Sequence, residues 1–164
     1  MTITVLDETK VVGGVKTRVV EERETRHGRL AELSRNYFAI DRTTKDIYYF
    51  GENVDTYEDG RVSGHEGAWM AGMNGARFGL VMPAKPQVGD RYYQELAPGV
   101  AMDRAEIISL TEEHKLSMGS YKDCLRTRES SALEGGSEDK WYAPGVGLIQ
   151  DASFLLVRIE KGRP

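Results

Sequence analysis

The chain has an abundance of short turn signals and lacks helical periodicity. No stretch of three turns places apolar residues at i, i+3, i+4 and i+7. Runs rich in β-branched and aromatic residues are instead broken at short intervals by Gly, Asp and Asn. Gly13-Gly14, His27-Gly28 and Asp59-Gly60 each fall between two such runs. Paired residues of this kind accept the positive φ that a two-residue hairpin turn demands, so each joins two antiparallel strands. The expected strands are 2–9, 15–26, 29–41, 47–57, 61–69, 91–96, 100–110, 115–128, 141–143, 147–149 and 154–160. About ten strands joined by tight turns make an all-β, antiparallel meander. A sheet of that size curls to bury one face, so the expected form is a barrel or half-barrel.

A length of 164 residues is that of one domain with a real core. No repeat or linker divides it, and residues 1–164 are read as a single unit. With 40% hydrophobic and 29% charged residues the chain is too apolar to be disordered. A net charge of −4 and the absence of a Lys/Arg-dense run argue against a nucleic-acid partner. Apolar runs such as 154–157 are far too short to span a bilayer. Cys124 is the sole cysteine, which excludes an internal disulfide and a Cys-rich metal site. No histidine is linked to it by a motif, so it is expected to be a buried core thiol rather than a nucleophile. The start MTITVLDETK is strand-like and has no signal-peptide core, which fits a cytosolic or an already processed chain.

Two connections interrupt the rhythm. Residues 130–139 are polar and read as a solvated loop. The longer one, Met70 to Gly89, carries four glycines, three methionines, Phe78 and Leu80. A connection this long and this apolar either plugs one end of the barrel or forms a lid over a pocket. The strands that flank it carry His65, Glu66, Glu95, Asp103 and Glu106. In the functional reading, His65, Glu66, Glu95 and Glu106 are the catalytic candidates, acting as acid and base in a hydrolase or lyase. In the structural alternative they are members of ion pairs, on a solvated face or around a buried Arg104 and Glu106. Several carboxylates would suit Ca²⁺, but no metal-binding motif is present, so no cofactor is expected. Tyr48, Phe50, Trp69, Phe78, Tyr93 and Trp141 are the candidate walls of a pocket for a small or lipid-like ligand. A fully packed structural or interaction domain is the third possibility.

Several segments carry a resemblance. They are 49–55 (YFGENVD), 65–69 (HEGAW), Met82-Pro83-Ala84 with Val88-Gly89-Asp90, Tyr93-Gln94-Glu95, and 142–148 (YAPGVGL). Together they resemble an uncharacterised family of bacterial β-rich proteins of half-barrel, lipoprotein-like type. The resemblance runs from about the first strand to Asp151. It implies an antiparallel barrel or half-barrel and a periplasmic or secreted location, and it brings no catalytic residues.

Overall fold

The computed structural model describes residues 1–162, and among them every regular element is a β-strand. The first four strands are long hairpin partners: β1 (Thr2–Val12), β2 (Val15–Arg26), β3 (Arg29–Ile40) and β4 (Ile47–Glu58). Short pieces follow: β5 (Arg61–Gly64), β6 (Trp69–Met70), β7 (Arg77–Met82), β8 (Arg91–Tyr93) and β9 (Glu95–Leu96). The chain then returns to long strands in β10 (Asp103–Leu116) and β11 (Gly119–Ser131), and ends with β12 (Glu138–Ala143), β13 (Gly147–Asp151) and β14 (Phe154–Leu155). The three expected hairpin turns form. His27 and Gly28, Asp59 and Gly60, and Gly13 and Gly14 all have positive φ, the signature of a turn whose twist matches its strands.

These strands build two antiparallel sheets rather than one ten-stranded barrel. The first runs β1-β2-β3-β4-β7-β9, with β5 and β6 also paired to β4. The second runs β14-β13-β12-β11-β10-β8. No closed barrel forms among the described residues. The outer strands β1 and β14 belong to different sheets, and β14 offers just two residues as a pairing edge. The expected strand over 154–160 stops at Leu155: the Leu156 amide still donates to the Ile149 carbonyl at 2.9 Å, and no further ladder pair follows among the described residues. The expected strand over 91–96 divides at Gln94, where the chain steps from one sheet to the other. Tyr93 pairs with Arg104 of β10, while Glu95 pairs with Phe78 of β7.

The segment between Met70 and Gly89 is not a single loop. Its middle is β7, which lies between β4 and β9. Residues 71–76 form a compact turn in which the Ala71 amide donates to the Phe50 carbonyl and the Gly72 amide to the Ala76 carbonyl, both at 2.9 Å. Glycine at 79 hides the strand in the sequence, yet it is needed there: a Cβ at Gly79 would run into the Gln94 carbonyl.

The larger core cluster is drawn mainly from the first sheet and its connections and includes Val12, Val19, Tyr37, Tyr49, Phe50 and Trp69. A smaller cluster in the second sheet holds Leu116, Cys124, Ala143 and Ile149. Cys124 is 0% exposed, and burial pushes its thiol above the ordinary value. Native protein at neutral pH should therefore label slowly with an aromatic disulfide reagent and fast after unfolding. Complete labelling within the mixing time in the native state would refute the burial.

Candidate functional site

The most unusual chemistry lies between the sheets and begins with a defect in β4. Asn36 pairs with Glu52, but Phe38 pairs with Tyr49, so Phe50 and Gly51 together oppose one residue of β3. This is a β-bulge. Gly51 has φ of 119°, and a Cβ there would strike the Trp69 carbonyl, so glycine is required on both counts. The extra residue places Glu52 on the same face as Tyr49, three positions earlier, and on the face of its partner Trp69 in β6. Tyr49 stacks on Phe38 at 4.7 Å and meets Trp69 edge-on at 5.4 Å.

Polar side chains continue from this point. The Tyr49 hydroxyl donates to Asn36 Oδ1, and Asn36 Nδ2 donates to Ser34 Oγ at 3.1 Å and to the Val20 carbonyl at 3.4 Å. Burial pushes the Glu52 carboxyl up to about 7. The Tyr49 hydroxyl opposes this, while the negative fields of Glu22, Glu32 and Asp103 reinforce it. The Tyr49 proton is already committed to Asn36. A protonated Glu52 carries one O–H donor of its own.

The second sheet answers with a largely buried ion pair. Lys140 Nζ lies 3.1 Å from Glu129 Oε2 and 3.5 Å from Asp151 Oδ2, on adjacent strands β11, β12 and β13. The other Glu129 oxygen accepts from Gln94 Nε2 at 2.9 Å and from Thr127 Oγ1 at 3.2 Å. Burial alone would push the Lys140 ammonium down. The carboxylates of Glu129 and Asp151 more than reverse this, and it is held above its ordinary value. The two sheets feel each other here. Glu22 of β2 is raised mainly by burial, with Lys140 pulling it down and Asp151 pushing it up. Glu95 is pushed up to about 8 by burial first, then by the charges of Glu52 and Asp103, with Lys140 opposing.

Glu52 also lines a cavity of about 200 Å³. Its walls come from the bulged strand, from β6 (Trp69, Met70) and the turn after it (Met73, Asn74, Ala76), and from the Ala97–Val100 turn. Trp69 is 6% exposed, and its Nε1 is buried without a hydrogen-bond partner among the described residues. A buried indole N–H with no acceptor is costly, and such donors are normally paired.

The sequence-derived candidates do not gather in one place. Glu95 lies in the interior group just described. His65 is 67% exposed at the end of the β5 connection, with Nδ1 at 2.9 Å from both the Val54 carbonyl and Asp55 Oδ1. Glu66 is exposed and meets Thr56 Oγ1 at 3.4 Å. Glu106 pairs with Arg91 at 3.0 Å. Among the aromatic candidates, Trp69 lines the cavity. Tyr48, Phe50 and Phe78 pack on one another, with Phe78 stacked on Phe50 at 4.9 Å. Tyr93 lies on β8 beside Arg104, and Trp141 stacks on His114 and donates to Glu112 at 2.7 Å. No cluster of three or more His, Cys, Asp or Glu with metal-holding geometry occurs among the described residues, and no helix there is long and apolar enough to cross a membrane. Sequence reasoning passed over Glu52, Glu129, Lys140 and Tyr49. For Glu52 a signal existed, since a glycine inside a strand pattern marks a bulge. No protein-family model, curated protein or solved structure matches the chain.

Proposed function

We propose that the chain is a small-molecule-binding domain whose ligand occupies the cavity between Trp69 and the Ala97–Val100 turn. The observation that carries this reading is the unpaired, buried indole N–H of Trp69, a residue that lines an apolar cavity together with a largely buried carboxyl group, Glu52. Apolar walls with a few convergent polar anchors are what ligand sites consist of. The volume lies below the ~300–1,000 Å³ of drug-sized sites, so the ligand is small. Trp69 Nε1 supplies a donor, and Glu52 supplies a second one while it is protonated. The fitting class is a compact apolar molecule with one carbonyl acceptor. Two antiparallel sheets are compatible with a half-barrel container, and the motif resemblance supports an extracytoplasmic location.

Cyclohexanone is a suitable probe. The chain has two tryptophans and so two indole N–H resonances. Cyclohexanone should shift the Trp69 resonance saturably and leave that of Trp141, which is already bonded to Glu112, in place. Binding should weaken as the pH rises through about 7, because ionised Glu52 accepts hydrogen bonds but no longer donates them. Trp69→Phe should abolish the response. An unmoved Trp69 resonance at millimolar cyclohexanone would leave a packed structural domain as the better reading.

One observation favours a second reading, acid–base catalysis of the hydrolase or lyase kind. Glu52 and Glu95 sit near 7 and 8, where a general acid or base is most effective. In that case Glu52→Gln abolishes turnover and leaves cyclohexanone binding in place.

A further inference from the structure

The exposed face of the second sheet holds a separate hollow of about 400 Å³, distant in composition from the Trp69 cavity and sharing none of its lining. Its floor is a small lattice fixed by strand register. Arg91, Glu106 and Arg128 form one row across β8, β10 and β11; Tyr93, Arg104 and Ser130 form the next. All six line the hollow. Three guanidinium groups and one carboxylate therefore line the hollow. Two of the three are already engaged: Arg91 Nη2 lies 3.0 Å from Glu106 Oε1, and Arg128 Nε lies 3.1 Å from Asp139 Oδ1. Arg104 sits centrally in its row and differs. Among the described residues it has no ion pair, and its one side-chain hydrogen bond runs from Nε to Ser130 Oγ at 3.4 Å. Its terminal nitrogens are left for a ligand, in a hollow whose net charge is positive.

We infer that this hollow binds a small organic oxyanion, a carboxylate or phosphate monoester carrying a flat apolar body, with Arg104 gripping the anionic head and Tyr93 lying against the body. A planar guanidinium presents paired N–H donors that match two oxygens of a carboxylate or phosphate. Neighbouring Arg91 and Arg128 add field without competing for the head, because their own donors already face carboxylates. Tyr93 is 41% exposed beside Arg104, and an exposed aromatic side chain takes a flat apolar partner. The inference does not depend on the Trp69 cavity.

Benzoate, phenyl phosphate and the neutral isostere benzamide test it by calorimetric titration. At least one of the two anions should bind saturably at millimolar concentration or below, and which of them binds more tightly identifies the head group. Benzamide should bind at least tenfold more weakly. Arg104→Gln should weaken the anion at least tenfold, and Arg104→Lys, which keeps the charge and loses the fork, by an intermediate factor. Trp69→Phe should leave anion affinity unchanged, which separates this site from the other cavity. Arg61→Gln, on a different strand of the other sheet, should do the same. Arg104 and Arg61 are both exposed, so the substitutions at these two positions keep the protein folded. Equal affinity for benzamide, indifference to Arg104→Gln, a matching loss in Arg61→Gln, or no saturable binding of either anion would each overturn the inference.

Discussion

Lys140→Met should lower the stability of the protein by about 3–5 kcal/mol, the usual loss when one partner of a buried pair is removed. Among the described residues Lys140 is the one cation against Glu129, whose side chain is 9% exposed, and it also neutralises Asp151. Methionine keeps much of the side-chain volume, so the loss reports charge rather than a void. Gln94 and Thr127 still hold one Glu129 oxygen, but neutral donors do not cancel a buried charge. For a chain of this length the drop corresponds to roughly 6–20 °C in Tm. The second change decides the cause. Adding Glu129→Gln to Lys140→Met removes the stranded charge and should recover more than half of the loss, while Glu129→Gln alone should destabilise. Urea unfolding of the three variants gives the comparison. A loss under about 1 kcal/mol for Lys140→Met, the range of exposed pairs, would show that this pair is solvated in the native state.

The hairpins were legible because their turns depend on a local property, positive φ at His27-Gly28, Asp59-Gly60 and Gly13-Gly14. The all-β class followed from the same rhythm. The number of strands and the failure to close did not, since both depend on tertiary pairing. Gln94 looks like any strand residue, yet the chain changes sheets there. The β7 strand was concealed because Gly79 is demanded by a close backbone approach that no local pattern announces. The interior group was harder still. In β11, Arg126 and Arg128 alternate with Thr127 and Glu129, so polar residues occupy both faces and alternation does not say which face is buried. Glu52 was hidden by the bulge, which shifts every later side chain of β4 by one position relative to strict alternation. Glu95 was singled out from its place beside the long connection, and it does lie among buried carboxyls. His65 and Glu66 were neighbours of the same connection in sequence, but the chain turns at β5 and leaves them exposed.

The same carboxyl groups fix how stability should vary with pH. Glu52 and Glu95 rise from an ordinary 4.5 to about 7 and about 8 on folding. Between about pH 4.5 and 8 the folded chain therefore holds protons that the unfolded chain has released. Stability falls with rising pH wherever the native state binds more protons, so the protein should be most stable on the acid side of this window and lose stability steadily to its upper end. Glu22, Glu32 and Glu138 are raised too, each chiefly by burial, and add to the same slope. Each tenfold change in an acid constant on folding corresponds to about 1.4 kcal/mol, so the two carboxyls together account for several kcal/mol. Glu52 and Glu95 repel each other, and that mutual repulsion enters the total once rather than once for each group. Replacing both by glutamine keeps the shape and removes the proton uptake. The Glu52→Gln/Glu95→Gln protein should show a much shallower pH profile and should be more stable than the parent at pH 8, with little difference near pH 5. Urea unfolding at pH 5, 6.5 and 8 is sufficient. A parent protein whose stability rises over this range would mean that the two carboxyls are ionised and solvated in the native state. The donor role given to Glu52 in the Trp69 cavity would then fail with them, because the proton that stabilises the fold at low pH is the one Glu52 would offer to a bound carbonyl.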